Sequence, residues 1–539
     1  MIEKPPLRVN LCASLVIEPL QDYLTYWCKE YELNVNISFA PYNQVFQQLL
    51  NPKSPFNQNN GVNILFIRIE DWLRDQTDKS TYEQVDFLNK TFLDLTEAIE
   101  QSRRNNIVPY LIGIVPLSTF YSFSLEVADQ IVELNQKLYS LLRTMAGFYL
   151  LDLNKIGALY DIEEMFDPKS DEIGHLPFTQ EYYAALGTFL ARKIRAYISP
   201  PYKVIALDCD NTLWKGVCGE DGPMDVIIDT NYAYVQEFLL EKYKEGFLLV
   251  LCTKNNEDDV WEVFNRNEGM ILKREHLAAH RINWNPKSGN LTSIAKELNL
   301  GVDSFIFLDD SNFEIEQMSF SCPEVLSINL PEDTSTFFSF LNHIWEFDIF
   351  SVTEEDLQRN NLYKAEKQRK EEQGNYEYLK DFLESLNIKT DLHQLEEKSL
   401  DRALQLTLRT NQFNLNGIRR TREEILEYIE NPTTLKWIIE VEDRFGNYGL
   451  VGLLLAKEIQ NTLVIETFLL SCRVLGRNIE DFVLSELKTF CIFKGLDIIK
   501  AKFRLTAKNK PFTEFLVRTN WIEDNQNNTY NYLVKSTNK

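Results

Sequence analysis

The sequence predicts an α/β protein of several domains: two doubly wound parallel-sheet domains followed by an α+β domain. Three observations carry this expectation. The chain has 539 residues, more than one hydrophobic core organises, so about three domains are expected. Over most of its length, short continuous apolar runs alternate with amphipathic helical stretches, the pattern of parallel strands joined by crossover helices. The last part changes character, to longer apolar runs joined by a Gly-containing turn, as in an antiparallel hairpin.

Composition narrows the function classes. Apolar residues make up 44% and charged residues 25% of the chain, ordinary values for a globular protein. With 80 acidic against 56 basic residues the net charge is −24. That excludes a general nucleic-acid or anionic-membrane binder and leaves docking on an acidic partner to a local basic patch. The eight cysteines are scattered without a C-x-x-C pair or a His at zinc-ligand spacing, so buried thiols in a reducing compartment are expected. Met1 to Pro6 lacks the layout of a signal peptide and no apolar run approaches membrane-spanning length. The expected location is cytoplasmic, with neither nucleic acid nor membrane as partner.

Residues 1–199 form the first expected domain. Strands are read at 7–15, 35–39, 62–67, 110–116 and 148–153, with helices through Leu20–Trp27, Phe46–Leu50, 81–104, 124–146 and 181–198. Ser14 falls at the first strand's end, and Asp171 and His175 lie near the end of the domain. Pro200-Pro201 closes it. Residues 200–350 form the second domain, with strands at 203–208, 247–253, 278–282 and 304–310 and helices at 231–244, 258–264 and 286–298. Residues 351–380 are dense in Glu, Lys, Arg, Gln and Asn and read as a solvated helical connector. Residues 381–539 hold helices at 399–408 and 423–429 and a hairpin of 437–441 with 450–458. Strands at 462–470, 496–504 and 529–534 and a helix ending near Phe490 complete this domain.

The second domain carries the chemistry. Lys203 to Leu207 is an apolar run that ends in Asp208-Cys209-Asp210-Asn211-Thr212. Two acids one residue apart at a strand end are costly unless a cation or proton is shared between them. Strands 247–253 and 304–310 end in Thr253 and in Asp309-Asp310, and Lys287 opens a helix between them. Together these are the parts of a phosphoryl-transfer site. Asp208 is suited to attack phosphorus, Asp210 to protonate the leaving group and then deprotonate water. Thr253 would bond the phosphoryl oxygens and Lys287 would neutralise charge. Asp208, Asp210, Asp309 and Asp310 offer an oxygen-rich Mg²⁺ site; between Asp309 and Asp310, one is expected to ligate and the other to hold Lys287.

Asp208-Cys209-Asp210-Asn211-Thr212, Thr253, Lys287 and Asp309-Asp310 resemble, in this order, the four motifs of the haloacid-dehalogenase (HAD) superfamily. The resemblance narrows to the FkbH-like family through Leu213 to Gly222, Cys252 to Asn256, Thr410 to Leu415, Asp443 to Gly446 and Ser471 to Arg477. It extends to Ala40 to Leu50 near the start. The chain departs from the family at Asp310-Ser311-Asn312, where many relatives have Asn-Pro, and at Thr253, where Ser is common. What the resemblance implies is an Mg²⁺-dependent glyceryl transferase/phosphatase. Such an enzyme removes phosphate from 1,3-bisphosphoglycerate and loads the glyceryl or a related three-carbon unit on an acyl carrier protein's phosphopantetheine thiol, in polyketide or mixed peptide–polyketide synthesis. Asn211, Thr212, Lys254 and Asn255 are the substrate contacts it implies.

It also raises Cys209, which is either the residue that takes the acyl group or an inert core thiol. Regular strand alternation would turn it away from Asp208. The first domain, with its early Ser14 and late Asp171 and His175, resembles an SGNH hydrolase. It lacks that fold's Gly-Asp-Ser motif, so a docking or structural role is expected, with His175 as a hydrogen-bonded packing residue. Arg473, Leu475, Gly476, Arg477 and Asn478 lie between a strand and a helix and resemble the pantetheine loop of the GNAT acyltransferase fold. Thr506 to Asn509 and Asn520-Trp521 support that likeness, and plain helix packing is the alternative. Two other readings of the whole chain stand beside carrier loading: a small-molecule phosphatase with accessory domains, and a non-catalytic carrier-docking protein.

Overall fold

The computed structural model describes residues 6–58, 61–105, 108–118, 123–145, 147–350, 352, 354–373, 376, 378–410, 412–420, 422–506, 508–524 and 529–534. Asn411 and Ala507, in two of the motifs above, lie outside these. The chain divides into two compact units, Met1–Asn360 and Asn361–Lys539.

The first unit holds two parallel sheets. The N-terminal sheet comprises β1 (Leu7–Ala13), β2 (Val35–Phe39), β3 (Val62–Ile67), β4 (Tyr110–Ile114) and β5 (Phe148–Leu151), in the order β2-β1-β3-β4-β5. The central sheet comprises β6 (Val204–Leu207), β7 (Leu248–Thr253), β8 (Leu277–Ile282), β9 (Phe305–Asp309) and β10 (Leu326–Asn329), in the order β10-β9-β6-β7-β8. Continuous apolar runs form these strands because both faces are covered: every residue of β3, β6, β7 and β9 is buried. In the central sheet the strand order reverses at β6. Leu207 pairs with Leu251 on one side and Leu308 on the other. The carboxyl end of β6 is therefore a topological switch point, where open α/β sheets bind ligands.

The two sheets share their packing. Arg192, on the helix Gln180–Ile198, donates to both oxygens of Asp348 at 2.6 and 2.8 Å and to the Asn342 carbonyl at 2.8 Å. Trp345 buries itself against the N-terminal sheet, stacked on Tyr31 with ring centroids 4.3 Å apart.

The polar residues at the end of β1 do not assemble a serine hydrolase. Ser14 Oγ accepts from the Arg68 amide at 2.9 Å and lies 3.4 Å from Asp71 Oδ2. Asp171 is 2.7 Å from Arg68 and 2.5 Å from Arg74. His175 takes a left-handed φ of 58° and stacks on Tyr42, its Nδ1 buried without a hydrogen-bond partner. It is thus a packing residue, though that ring nitrogen is not hydrogen-bonded as expected. What fills the site is a buried charge network in which Arg68 also pairs with Glu70.

The second unit is a mixed sheet of β11 (Lys389–Gln394), β12 (Phe413–Asn414), β13 (Thr434–Asp443), β14 (Gly446–Ile459), β15 (Thr462–Leu470), β16 (Ile498–Ala501), β17 (Ile522–Asp524) and β18 (Thr529–Leu533). Its order is β11-β13-β14-β15-β16-β18-β17, with β12 paired to β15. β15 and β16 run parallel and the other pairs antiparallel. The β13–β14 hairpin is longer than the sequence suggests, because register shifts at Ile439/Glu440 and Val441/Glu442 break the alternation.

The expected solvated connector is the helix Glu354–Gln373, but parts of it are buried. Arg359 and Asn360 donate to the Gly246 and Tyr243 carbonyls at 2.6 and 2.8 Å within the first unit. Within the second, Arg369 is 2% exposed and grips Asp443 at 2.7 and 2.8 Å. Its guanidinium carbon lies over Tyr448, 4.4 Å from the ring centroid.

Burial pushes the Glu70 carboxyl up to about 7 against the pull of Arg68. The unfolded chain loses this proton near 4.5 and the folded chain near 7, so the folded state binds the extra proton between them and stability falls as pH rises through that window. Glu70→Gln lacks this slope. Its urea stability relative to wild type should improve by about 3 kcal/mol between about pH 4 and about pH 8; an unchanged difference would remove Glu70 as the source.

Candidate active site

β6 extends its ladder by one residue, the Asp208 amide donating to the Leu308 carbonyl at 3.0 Å, and then leaves the sheet. Thr212 and Leu213 amides fold back on the Cys209 carbonyl at 3.2 and 2.8 Å. Asn211 adopts φ 50°, a left-handed conformation Asn tolerates better than most residues, and its Oδ1 accepts from the Gly216 amide at 3.0 Å. Asn211 thus spends that oxygen on the turn. Thr212, also expected at the substrate, is wholly buried beneath it, its hydroxyl without a partner.

Lys287 lies at the centre of the site. It is the first residue of the helix Lys287–Leu298, and its Nζ lies 2.6 Å from Asp208 Oδ1 and 2.6 Å from Asp309 Oδ2. Asp309 therefore holds the lysine. Burial alone would push the ammonium down; the two carboxylates more than reverse this and hold it above its usual range. Burial drives Asp208 upward against the pull of Lys287. Asp309 is raised to about 7 and Asp310 to about 6, by burial first and by the Asp208 charge second. One lysine does not balance this cluster.

Carboxylate oxygens of Asp208, Asp309 and Asp310 lie within 4.8 Å of one another. Three hard oxygen donors with a surplus of negative charge fit Mg²⁺. Asp210, the fourth expected ligand, lies outside this group. Its Oδ1 accepts from Trp214 Nε1 at 2.9 Å and from the Cys218 amide at 3.1 Å. Those two partners sit within the motif that follows Asp210, but nothing in their spacing announces the contact.

Thr253, at the end of β7, is fully buried and its Oγ1 accepts from Asn255 Nδ2 at 3.0 Å. Lys254 pairs with Glu314 at 2.7 Å, on the helix that follows Asp309-Asp310. Sequence reasoning missed Glu314, since no local pattern links it to Lys254 across 60 residues. Cys209 falls in the same apolar cluster as Ile205 and Leu207, with no exposure. Alternation therefore holds through residue 209 and turns the thiol into the core. Burial, then Asp208 and Asp210, push it well above the ordinary thiol range.

In the second unit, the loop Arg473–Asn478 leads from β15 to the helix Ile479–Lys494, as expected. Gly476 has φ 75° with open space beside it, and Asn478 has φ 62°. Arg473 Nε donates to Ser471 Oγ at 3.1 Å, and Leu475 packs against the sheet's core. Arg477 pairs with Glu366 at 2.7 Å and lies 5.0 Å from the Tyr448 ring centroid, so its charge is engaged within the unit.

No family model and no curated protein matches the chain. Among solved structures, the chain is similar to the N-terminal part of protein BF1531 from Bacteroides fragilis, described as containing a phosphatase domain complexed with Mg. The identity is 25% and the TM-score 0.54, over 64% of this chain and 95% of that one. It also matches the ribosomal-protein-S18-alanine N-acetyltransferase of Escherichia coli, at 8% identity and TM-score 0.22 over 28% of this chain and 99% of that one. A third match is the PaiA N-acetyltransferase of Thermoplasma acidophilum in complex with coenzyme A, at 14% identity and TM-score 0.22 over 27% and 99%.

Proposed function

We propose that this chain is an Mg²⁺-dependent enzyme that removes phosphate from 1,3-bisphosphoglycerate, or a related three-carbon acyl phosphate, and loads the acyl unit on the phosphopantetheine thiol of an acyl carrier protein. One observation carries the phosphoryl chemistry: Lys287 bridging Asp208 and Asp309 at the switch point, with Asp310 beside them. The Mg-complexed phosphatase-domain protein of similar fold supports it. The carrier and the three-carbon unit rest on the resemblance to the FkbH-like family.

The chemistry divides into two displacements. A thiolate attacks the C1 carbonyl of the acyl phosphate, the C1–O bond breaks, and inorganic phosphate leaves with the bonding electrons. At C3, Asp208 attacks phosphorus and Asp210 gives a proton to the departing sugar-acid oxygen; water, deprotonated by Asp210, then releases the aspartyl-phosphate. Lys287 keeps Asp208 ionised and aimed, and Thr253 bonds the phosphoryl oxygens. Asp208, Asp309 and Asp310 are the residues that would hold Mg²⁺, which supplies charge neutralisation for the transferring group.

The sealed position of Cys209 favours the carrier's own thiol as the attacking group. Acylation of Cys209 requires the turn 209–213 to open first. The same burial favours, as a second reading, a phosphatase that loads nothing.

Enzyme, Mg²⁺, 1,3-bisphosphoglycerate and a panel of holo carrier proteins decide between these. Carriers gaining a glyceryl mass support loading; phosphate release without that gain leaves the phosphatase. Asp208→Asn is expected to lower hydrolysis of the C3 ester by about a thousandfold or more, and chelation of Mg²⁺ to abolish it. Retained hydrolysis in that variant would refute the site. Cys209→Ala is expected to keep both loading and ester hydrolysis. Loss of loading alone, with an acyl adduct on wild-type enzyme by intact mass, would make Cys209 the acyl acceptor.

A further inference from the structure

Two stretches of the second unit carry charge opposite in sign to the net charge of the chain. Residues 402–422 and 498–513 each contain five Lys or Arg and no Asp or Glu, in a chain of net charge −24. The fold lays these two stretches side by side. β16 pairs only with the first half of β15, from Thr462↔Ile498 to Ile465↔Ala501. β12 takes the other half, pairing Phe413 with Leu470 and Asn414 with Leu469. The chain leaving β16 therefore parts from β15 and runs along the segment that follows β12. Arg504 N donates to the Leu415 carbonyl at 3.1 Å and Asn509 Nδ2 to the Asn414 carbonyl at 3.0 Å. Asn414, Asn416 and Asn509 are buried, so these staples are shielded from water.

The outer side of this seam is exposed. Ile418 is 41% and Leu505 69% accessible, and Arg419, Arg504 and Lys508 are exposed around them. Among the described residues Arg504 and Lys508 have no acidic partner, whereas the exposed Lys90 pairs with Asp86. Exposed aliphatic side chains flanked by cations have the anatomy of a protein interface: an apolar centre and a charged rim that steers.

We propose that this surface docks an acidic protein helix. Resting on the reading above, that helix belongs to the carrier protein whose thiol is loaded. The chain's net charge of −24 opposes the approach of an acidic carrier, so a local basic face is what complementarity requires. Nucleic acid fits less well: no exposed aromatic ring lies in either stretch among the described residues for bases to stack on.

The test is binding of an acidic holo carrier protein to full-length enzyme, read by titration calorimetry at low and high salt. The double variant Arg504→Glu/Lys508→Glu is expected to weaken binding about tenfold or more and to flatten its salt dependence. Leu505→Ser should weaken it at all salt concentrations, and a charge-matched control, Lys90→Glu/Lys137→Glu, should bind as wild type. Thermal melts check that the variants stay folded, and phosphate release without carrier should be unchanged in all of them. Carrier binding equal to wild type in the double variant overturns the proposal. So does tighter binding of single-stranded DNA than of carrier, or absence of carrier binding by wild-type enzyme that still releases phosphate. Carrier held at this surface but never acylated would instead refute the loading reading while leaving the docking surface in place.

Discussion

The carboxyl end of the central sheet depends on one ammonium group. β6 and β9 are hydrogen-bonded neighbours, so acids at both carboxyl ends are forced within a few ångströms of each other. Such a pair does not remain doubly ionised in a buried site without a cation. Lys287 supplies that charge from a third element, 2.6 Å from each carboxylate, at the first residue of a helix that Pro286 starts. The compensation is incomplete by construction, since Asp310 adds a third carboxylate. A site built this way keeps a surplus of negative charge that a divalent cation would offset.

The buried strands were legible in the sequence because burial on both faces leaves a continuous apolar run. Residues 62–67 and 462–470 have the boundaries that their runs imply. Among the edge strands β2, β5 and β8 were legible too, but β10, β11 and β17 were not. β10, Leu326–Asn329, is largely half-exposed and mixed in polarity, and β11, Lys389–Gln394, has no buried residue. Each is a strand because a neighbour offers a ladder, a property of tertiary pairing and not of its own sequence. The site divides the same way. Asp208, Thr253, Lys287 and Asp309-Asp310 stand where strands and helices end and could be read there. The partners of Asp210 and Lys254 depend on how loops close, and could not.

Charge density misled where aromatic rings intervened. A helix rich in Glu, Lys and Arg reads as solvated, yet Arg369 within it is 2% exposed. Its guanidinium is satisfied by Asp443 and stacked over Tyr448 and Phe445. Arginine tolerates such a site because a planar, weakly hydrated cation is matched by a bidentate carboxylate and a ring face. Asp443 in turn caps the turn of the β13–β14 hairpin, accepting from the Phe445 amide at 2.9 Å. One buried pair thus fixes both the hairpin's end and the helix that lies on it.

The pleat of two strands sorts the neighbouring polar residues of the site. Along β6, Ile205, Leu207 and Cys209 share the apolar cluster while Asp208 faces Lys287. At the end of β9, Asp309 is wholly buried against the lysine and Asp310 is half-buried. At the end of β6, Asp208 is committed to the ammonium and Cys209 turns away, so these two cannot exchange roles by rotating a side chain. Any chemistry at Cys209 must therefore begin with the backbone. The turn that would have to open is closed by two amides on the Cys209 carbonyl and by the Asn211 bond to Gly216. Breaking those bonds would also release the loop that presents Asp210 through Trp214 and Cys218. Acid–base catalysis by Asp210 and thiol chemistry at Cys209, were one enzyme to use both, would thus demand different states of the same turn and would have to occur in succession.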